Sequence, residues 1–209
     1  MARTDKKEQF KIYLIMIAGI LVICGIIILL AAIFNPSYTI KDSIKSSERV
    51  YECDYKTVSL NTSISYLKDD ATYTVKGDIF HLLTDPLTLY KDDKVIGEAS
   101  DAYHIIGQDD HAIIINGKFE IDVVGNIELL GENYDLYNQD GIKVGYADFN
   151  SFGTSGAIYN IHDEVIATFS KFVLFNDYTI KIYDNNLCSD NALLMIFASY
   201  MSDYKADHS

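Results

Sequence analysis

Apolar and polar positions follow two different rhythms along this chain. From Ile12 to Phe34 there are 23 consecutive residues without a charge, whereas from about Tyr51 onward apolar and polar residues alternate in short runs broken by Gly, Asn and Asp. At about 1.5 Å per residue the first stretch makes a helix of roughly 35 Å, enough to cross a hydrocarbon core of roughly 30 Å with some tilt. A cleaved signal peptide has a shorter apolar region and a small-x-small cleavage site, and Ala31-Ala32-Ile33-Phe34 is a poor one. The pattern therefore predicts an uncleaved transmembrane helix over 12–34, ended by Asn35-Pro36, with Tyr13 and Tyr38 at interfacial positions. Gly19 and Gly25 are out of Gly-x-x-x-Gly register and give no helix-pairing signal.

The second rhythm is that of strands. Lys118-Phe119-Glu120-Ile121-Asp122-Val123 alternates charged with apolar residues, as a strand with one wet face does. Ahead of it, Ala112–Ile115 leads into Asn116-Gly117, the dipeptide that best supplies the two positive φ angles of a type I′ hairpin turn. The same logic predicts hairpins across Asp92-Asp93, across Asn138–Gly141 and across His162-Asp163, with a last strand over Tyr178–Tyr183. Leu89-Tyr90 followed by Lys94–Gly97 is echoed about 47 residues later by Leu136-Tyr137 followed by Ile142–Gly145, which reads as a duplicated multi-strand module. The body is predicted to be antiparallel all-β with roughly nine to twelve short strands.

Ala192–Met201 breaks this pattern. It is apolar almost all round, with Ser189 and Asp190 as candidate N-caps, and a helix apolar on every face must be surrounded. Ten residues reach only about 15 Å, too short to cross a bilayer, and a peripheral membrane helix would carry the charged face that this one lacks. A closed barrel is the β structure that can surround it.

The final strand Asn176–Ile182, the acidic residue and apolar helix after it, and the segments Tyr73–Gly77, Tyr134–Tyr137 with Asp140-Gly141, Ile158–Lys171 and Tyr178–Tyr204 together resemble the LURP-one-related, tubby-like C-terminal family, which shares its barrel with phospholipid scramblases. The resemblance spans about 130 residues and implies a closed antiparallel barrel of about twelve strands enclosing the C-terminal helix, here preceded by one N-terminal transmembrane helix. The tubby branch binds phosphoinositides through basic residues on the barrel wall, and no Lys/Arg pair of this chain matches them. Scramblase relatives have no N-terminal anchor, so the lipid activities are not carried over to residues of this chain.

Charge then sharpens the picture. The 209 residues carry a formal net charge of -13, and residues 35–209 alone hold 13 basic against 28 acidic residues, near -15. Nucleic acid, which needs clustered Lys and Arg, is a poor partner, and anionic lipid headgroups are disfavoured for the same reason. Arg3, Lys6, Lys7 and Lys11 before the span outweigh in density the basic residues after it, which puts the N-terminus inside and the body outside the cytoplasm. The expected organisation is a basic leader (1–11), the transmembrane helix (12–34), a polar stalk (35–48) and one β-barrel domain (49–206).

Chemistry is sparse. Cys24 falls within the span, Cys53 reads as a small buried hydrophobe, and a Cys53–Cys188 disulfide is possible in an extracellular body. Gly153-Thr154-Ser155-Gly156 departs from the Gly-x-Ser-x-Gly nucleophile elbow and reads as a turn. His81, His104, His111, His162 and His208 are expected as solvated turn histidines, and no Cys/His spacing suggests zinc. Asp69-Asp70, Asp92-Asp93 and Asp109-Asp110 read as turn residues, with convergence on one rim to hold Ca²⁺ as the alternative. Asn61-Thr62-Ser63 is a glycosylation sequon, meaningful only in a eukaryotic secretory route. No catalytic, cofactor-binding or metal-ligating residue is assigned, and no cofactor is expected. The expected role is that of a membrane-anchored, non-catalytic binding or scaffold protein with an unknown protein or small-molecule ligand. Lipid handling and a Ca²⁺-dependent surface module are the alternatives.

Overall fold

The computed structural model describes residues 6–34, 38–55, 62–66, 71–77, 87–103, 109–126, 132–150, 153–171 and 177–207. Helix α1 (Lys6–Phe34) and the short α2 (Asp42–Lys45) precede twelve strands: β1 (Arg49–Tyr55), β2 (Thr62–Tyr66), β3 (Ala71–Lys76), β4 (Leu87–Lys91), β5 (Lys94–Tyr103), β6 (Asp109–Ile115), β7 (Lys118–Asn126), β8 (Glu132–Tyr137), β9 (Lys143–Phe149), β10 (Ser155–Asn160), β11 (Val165–Lys171) and β12 (Asp177–Ile182). Helix α3 (Asp190–Asp207) ends the described chain. All pairings are antiparallel; each strand bonds its neighbour in sequence, and β1 also bonds β12. The antiparallel β class of the body, the apolar N-terminal helix and the C-terminal helix are those the alternation predicts.

The pleat sorts the side chains. On β6, His111, Ile113 and Ile115 are buried in the interior, and Ile121 and Val123 of β7 join them. His111 is thus a strand residue on the interior face, and the expectation of a solvated turn histidine fails for it; His162, the other described histidine, sits exposed in a hairpin turn. His81, His104, His208, Asn61 and Asp69-Asp70 lie outside the described residues.

α3 supplies the other half of the core. Ala192 to Phe197 are all 0–1% exposed, packed against inward-facing residues of the strands. The helix runs nearest β5 and β6, where the inward residues of β5 are Gly97 and Ala99, small enough for a backbone to approach. Large rings fill the opposite side: Phe149 stacks on Tyr200 with centroids 3.9 Å apart, and Phe169 on Phe197 at 5.4 Å. Ser189 caps the helix, its Oγ accepting from Ala192 N–H at 3.3 Å, which leaves Asp190 free for another role.

Each of the four hairpins β4–β5, β6–β7, β8–β9 and β10–β11 carries a register shift near its turn, at Leu89/Tyr90, Ile113/Ile114, Leu136/Tyr137 and Ile158/Tyr159. Such bulges bend a strand and raise its twist, which is what curls a sheet round a helix. The Leu-Tyr repeat in the sequence marks two of them, and in both a glycine faces the leucine: Gly97 opposite Leu89 and Gly145 opposite Leu136.

Candidate functional site

Residues 35–48 are expected as a polar stalk, but the part of this segment that the structure describes is packed on the body. Tyr38, Ile40 and Ile44 lie half-buried against Ala157, Val165 and Tyr183 on the outer face of β10, β11 and the end of β12. Lys41 bonds Glu164 in the β10–β11 turn, and Glu48 accepts from Lys181 Nζ of β12 at 3.0 Å. The Tyr38 phenol lies near Ser155, which is fully buried at the start of β10. The amphiphilic spacing of Tyr38, Ile40 and Ile44 among charged residues explains this: three apolar groups find apolar wall, and Lys41 reaches the carboxylate at its edge.

Beside this docked segment, a strap over residues 38–48, lies an aromatic and acidic seam. Tyr146 of β9 and Tyr159 of β10 stack with centroids 4.8 Å apart and planes 14° apart, and Tyr146 Oη donates to Asp163 Oδ1 at 2.9 Å. Burial pushes Tyr38 up to about 12, and burial together with the Asp163 carboxylate pushes Tyr146 up to about 12. Both phenols are therefore neutral hydrogen-bond donors at physiological pH. Glu164 is held below the usual carboxylate range, first by its hydrogen bond from Lys41 and then by that from Asn160.

A second constellation ties α3 to the sheet. Arg49, the first residue of β1, donates from Nε and Nη2 to the two carboxylate oxygens of Asp190 at 2.5 and 2.9 Å, and Tyr51 Oη donates to the same carboxylate at 3.1 Å. This fork, about four-fifths removed from water, clamps the first residue of the helix, where a negative charge also suits the helix dipole.

The sequence motifs resolve as follows. Ser155 opens a strand, not a helix; its Oγ accepts from Asn150 Nδ2 at 2.8 Å, in a turn where Gly153 has φ +62°. Asn150 also receives Tyr200 Oη on its carbonyl at 3.2 Å, so the Gly-Thr-Ser-Gly segment is a turn that anchors α3. Cys53 and Cys188 are free and buried; burial pushes the Cys53 thiol up to about 12 and drives Cys188 upward too, the opposite of what a reactive thiolate needs. Asp92-Asp93 form a hairpin turn with φ of 49° and 61°. Asp109-Asp110 begin β6 at the other end of the strands, so these two pairs do not converge on one rim. Among the described residues no group of three or more His, Cys, Asp or Glu side chains is placed to hold a metal ion.

Sequence reasoning missed the docking surface, although a signal was present. Ala157-Ile158-Tyr159 and Val165-Ile166-Ala167 are apolar at both parities, unlike the alternating β7, which is how a strand covered on both faces reads. Comparison with protein-family models, curated proteins and solved structures returned no match.

Proposed function

We propose that this chain is a single-pass membrane protein whose body is a closed β-barrel wrapped round its own C-terminal helix, serving as a non-catalytic binding or scaffold module outside the cytoplasm. The observation that carries the reading is the division of apolar surface. Phe10–Ile27 of α1 has a mean hydropathy of 2.6 and none of it is buried within the protein, whereas Ala192–Met201 of α3 are buried against the sheet. An exposed apolar helix of this length is stable in lipid, where its backbone groups are satisfied internally. A barrel whose interior is filled by Leu193, Leu194, Met195, Ile196 and Phe197 offers partners its outer wall and rims, not a cavity.

Two measurements test this. In cells expressing the full chain, carbonate washing is expected to leave it in the membrane pellet, and release into the supernatant would refute the anchor. A Gln139→Cys variant, in an exposed turn, is expected to react with an impermeant maleimide in intact cells; reaction only after lysis would place the body in the cytoplasm. Turnover of a substrate by the purified protein, abolished by substitution of Ser155 or of a single carboxylate, would overturn the non-catalytic reading.

A further inference from the structure

The outer wall under residues 38–48 has a small core of its own. Ala157, Val165 and Tyr183 are 0–6% exposed, and Tyr38, Ile40, Ile44 and Tyr159 pack against them, apart from the interior that surrounds α3. The strap meets this wall through side chains. Its backbone hydrogen bonds run within itself, from Ile44 and Lys45 N–H to Lys41 O and from Ser47 N–H to Ile44 O, whereas β10 is laddered to both β9 and β11. The Lys41 side chain that engages Glu164 is 61% exposed, and so wet an ion pair adds little. Three half-buried apolar groups and that pair make a contact that can open while the sheet stays folded.

Once open, the wall presents Ala157, Val165 and Tyr183 next to the Tyr146–Tyr159 stack, a contiguous apolar face of the kind that marks an interaction site. The charge beside it is acidic. Asp148, Asp163 and Glu164 stand there against Lys143 and Lys181, which Asp135 and Glu48 already engage. The face therefore suits a segment with apolar side chains on one side and a cation at its edge, the chemistry that Tyr38, Ile40, Ile44 and Lys41 supply. Resting on the binding-module reading above, we propose that this wall is the body's peptide-binding surface, and that residues 38–48 are a latch filling it in cis until a partner segment displaces them. The partner is a polypeptide segment of the same chemistry, apolar groups on one face around a lysine or arginine.

The test titrates the full chain in detergent with a fluorescent peptide copying residues 38–48. Wild-type protein, its wall filled, is expected to bind the peptide at least tenfold more weakly than the Tyr38→Ser, Ile40→Ser, Ile44→Ser variant, whose latch is disabled. A peptide carrying Lys41→Glu should lose this binding, and Glu164→Lys added to the triple variant should reverse the preference between the two peptides. No binding to a triple variant with native near-ultraviolet circular dichroism, equal binding to both proteins, or indifference to the charge reversals would each overturn the proposal. Should the triple variant fail to fold, hydrogen exchange of the wild-type protein decides. Excess peptide should speed exchange of the Ile44, Lys45 and Ser47 amides several-fold and leave those of β11 unchanged; no acceleration would overturn the latch. A wild-type dimer that the peptide splits would mean that the segment is exchanged between copies, which also overturns the cis latch. Release of the chain by carbonate would refute the anchor and leave this titration standing, and substrate turnover would sink the binding reading itself.

Discussion

Arg49 and Asp190 lie 141 positions apart in sequence, and their fork is legible only in the fold. Arg49→Met should leave a largely buried carboxylate facing Tyr51 alone and cost about 1.5–3 kcal/mol, the worth of hydrogen bonds to a charged group. Lys143→Met, which breaks the more exposed pair with Asp135, should cost under about 1 kcal/mol. Urea unfolding of both variants checks the order, and an equal cost would contradict the clamp. Protons act at the same scale. Tyr38 and Tyr146 rise from 10.0 to about 12 and Cys53 from 9.0 to about 12. A group whose folded value is raised stabilises fully below its unfolded value and loses that contribution as pH climbs through the folded one. The thermal midpoint should therefore hold to about pH 9 and fall between about 9 and 12. Cys53→Ala should lessen the earliest part of the fall, the remainder of which comes from Cys188, also raised from 9.0 by burial.

Among elements, the bulged hairpin is the recurring unit. The duplicated Leu-Tyr motif points to it, but the equivalent bulges at Ile113/Ile114 and Ile158/Tyr159 lack the Leu-Tyr pair, because a bulge is set by pairing geometry and several apolar residues satisfy it. Its glycines are not equivalent either. A Cβ at Gly145 would lie 2.3 Å from the Tyr159 carbonyl oxygen, a backbone atom that cannot step aside, whereas the nearest atom at Gly97 is Ile115 Cδ1 at 2.6 Å, the tip of a side chain. Gly145→Ala should cost about 1–3 kcal/mol and Gly97→Ala less, read from denaturation midpoints. The strap is the element sequence reading passes over. Its four described charged residues between Lys41 and Glu48 look like a solvated stalk, and only the wall shows that Tyr38, Ile40 and Ile44 share a face.

For the whole molecule, charge and topology dominate. With residues 35–209 near -15, self-repulsion opposes the compact state, and screening with a Debye length of about 10 Å at 0.1 M should relieve it. The melting temperature of the detergent-solubilised protein should rise as salt is increased from low ionic strength; a fall would mean that surface pairs such as Lys143–Asp135 outweigh the repulsion. The sequence by itself determined the long apolar helix, the antiparallel hairpins and the burial of Ala192–Met201, because each follows from local periodicity, turn chemistry or the cost of wetting an apolar surface. The tertiary structure alone decided the pairing of β1 with β12, the interior place of His111, the Arg49–Asp190 clamp and the docking of Tyr38 beside Ser155. Those are contacts between residues distant in sequence, and no periodicity within a strand records which wall a strand or a strap will meet.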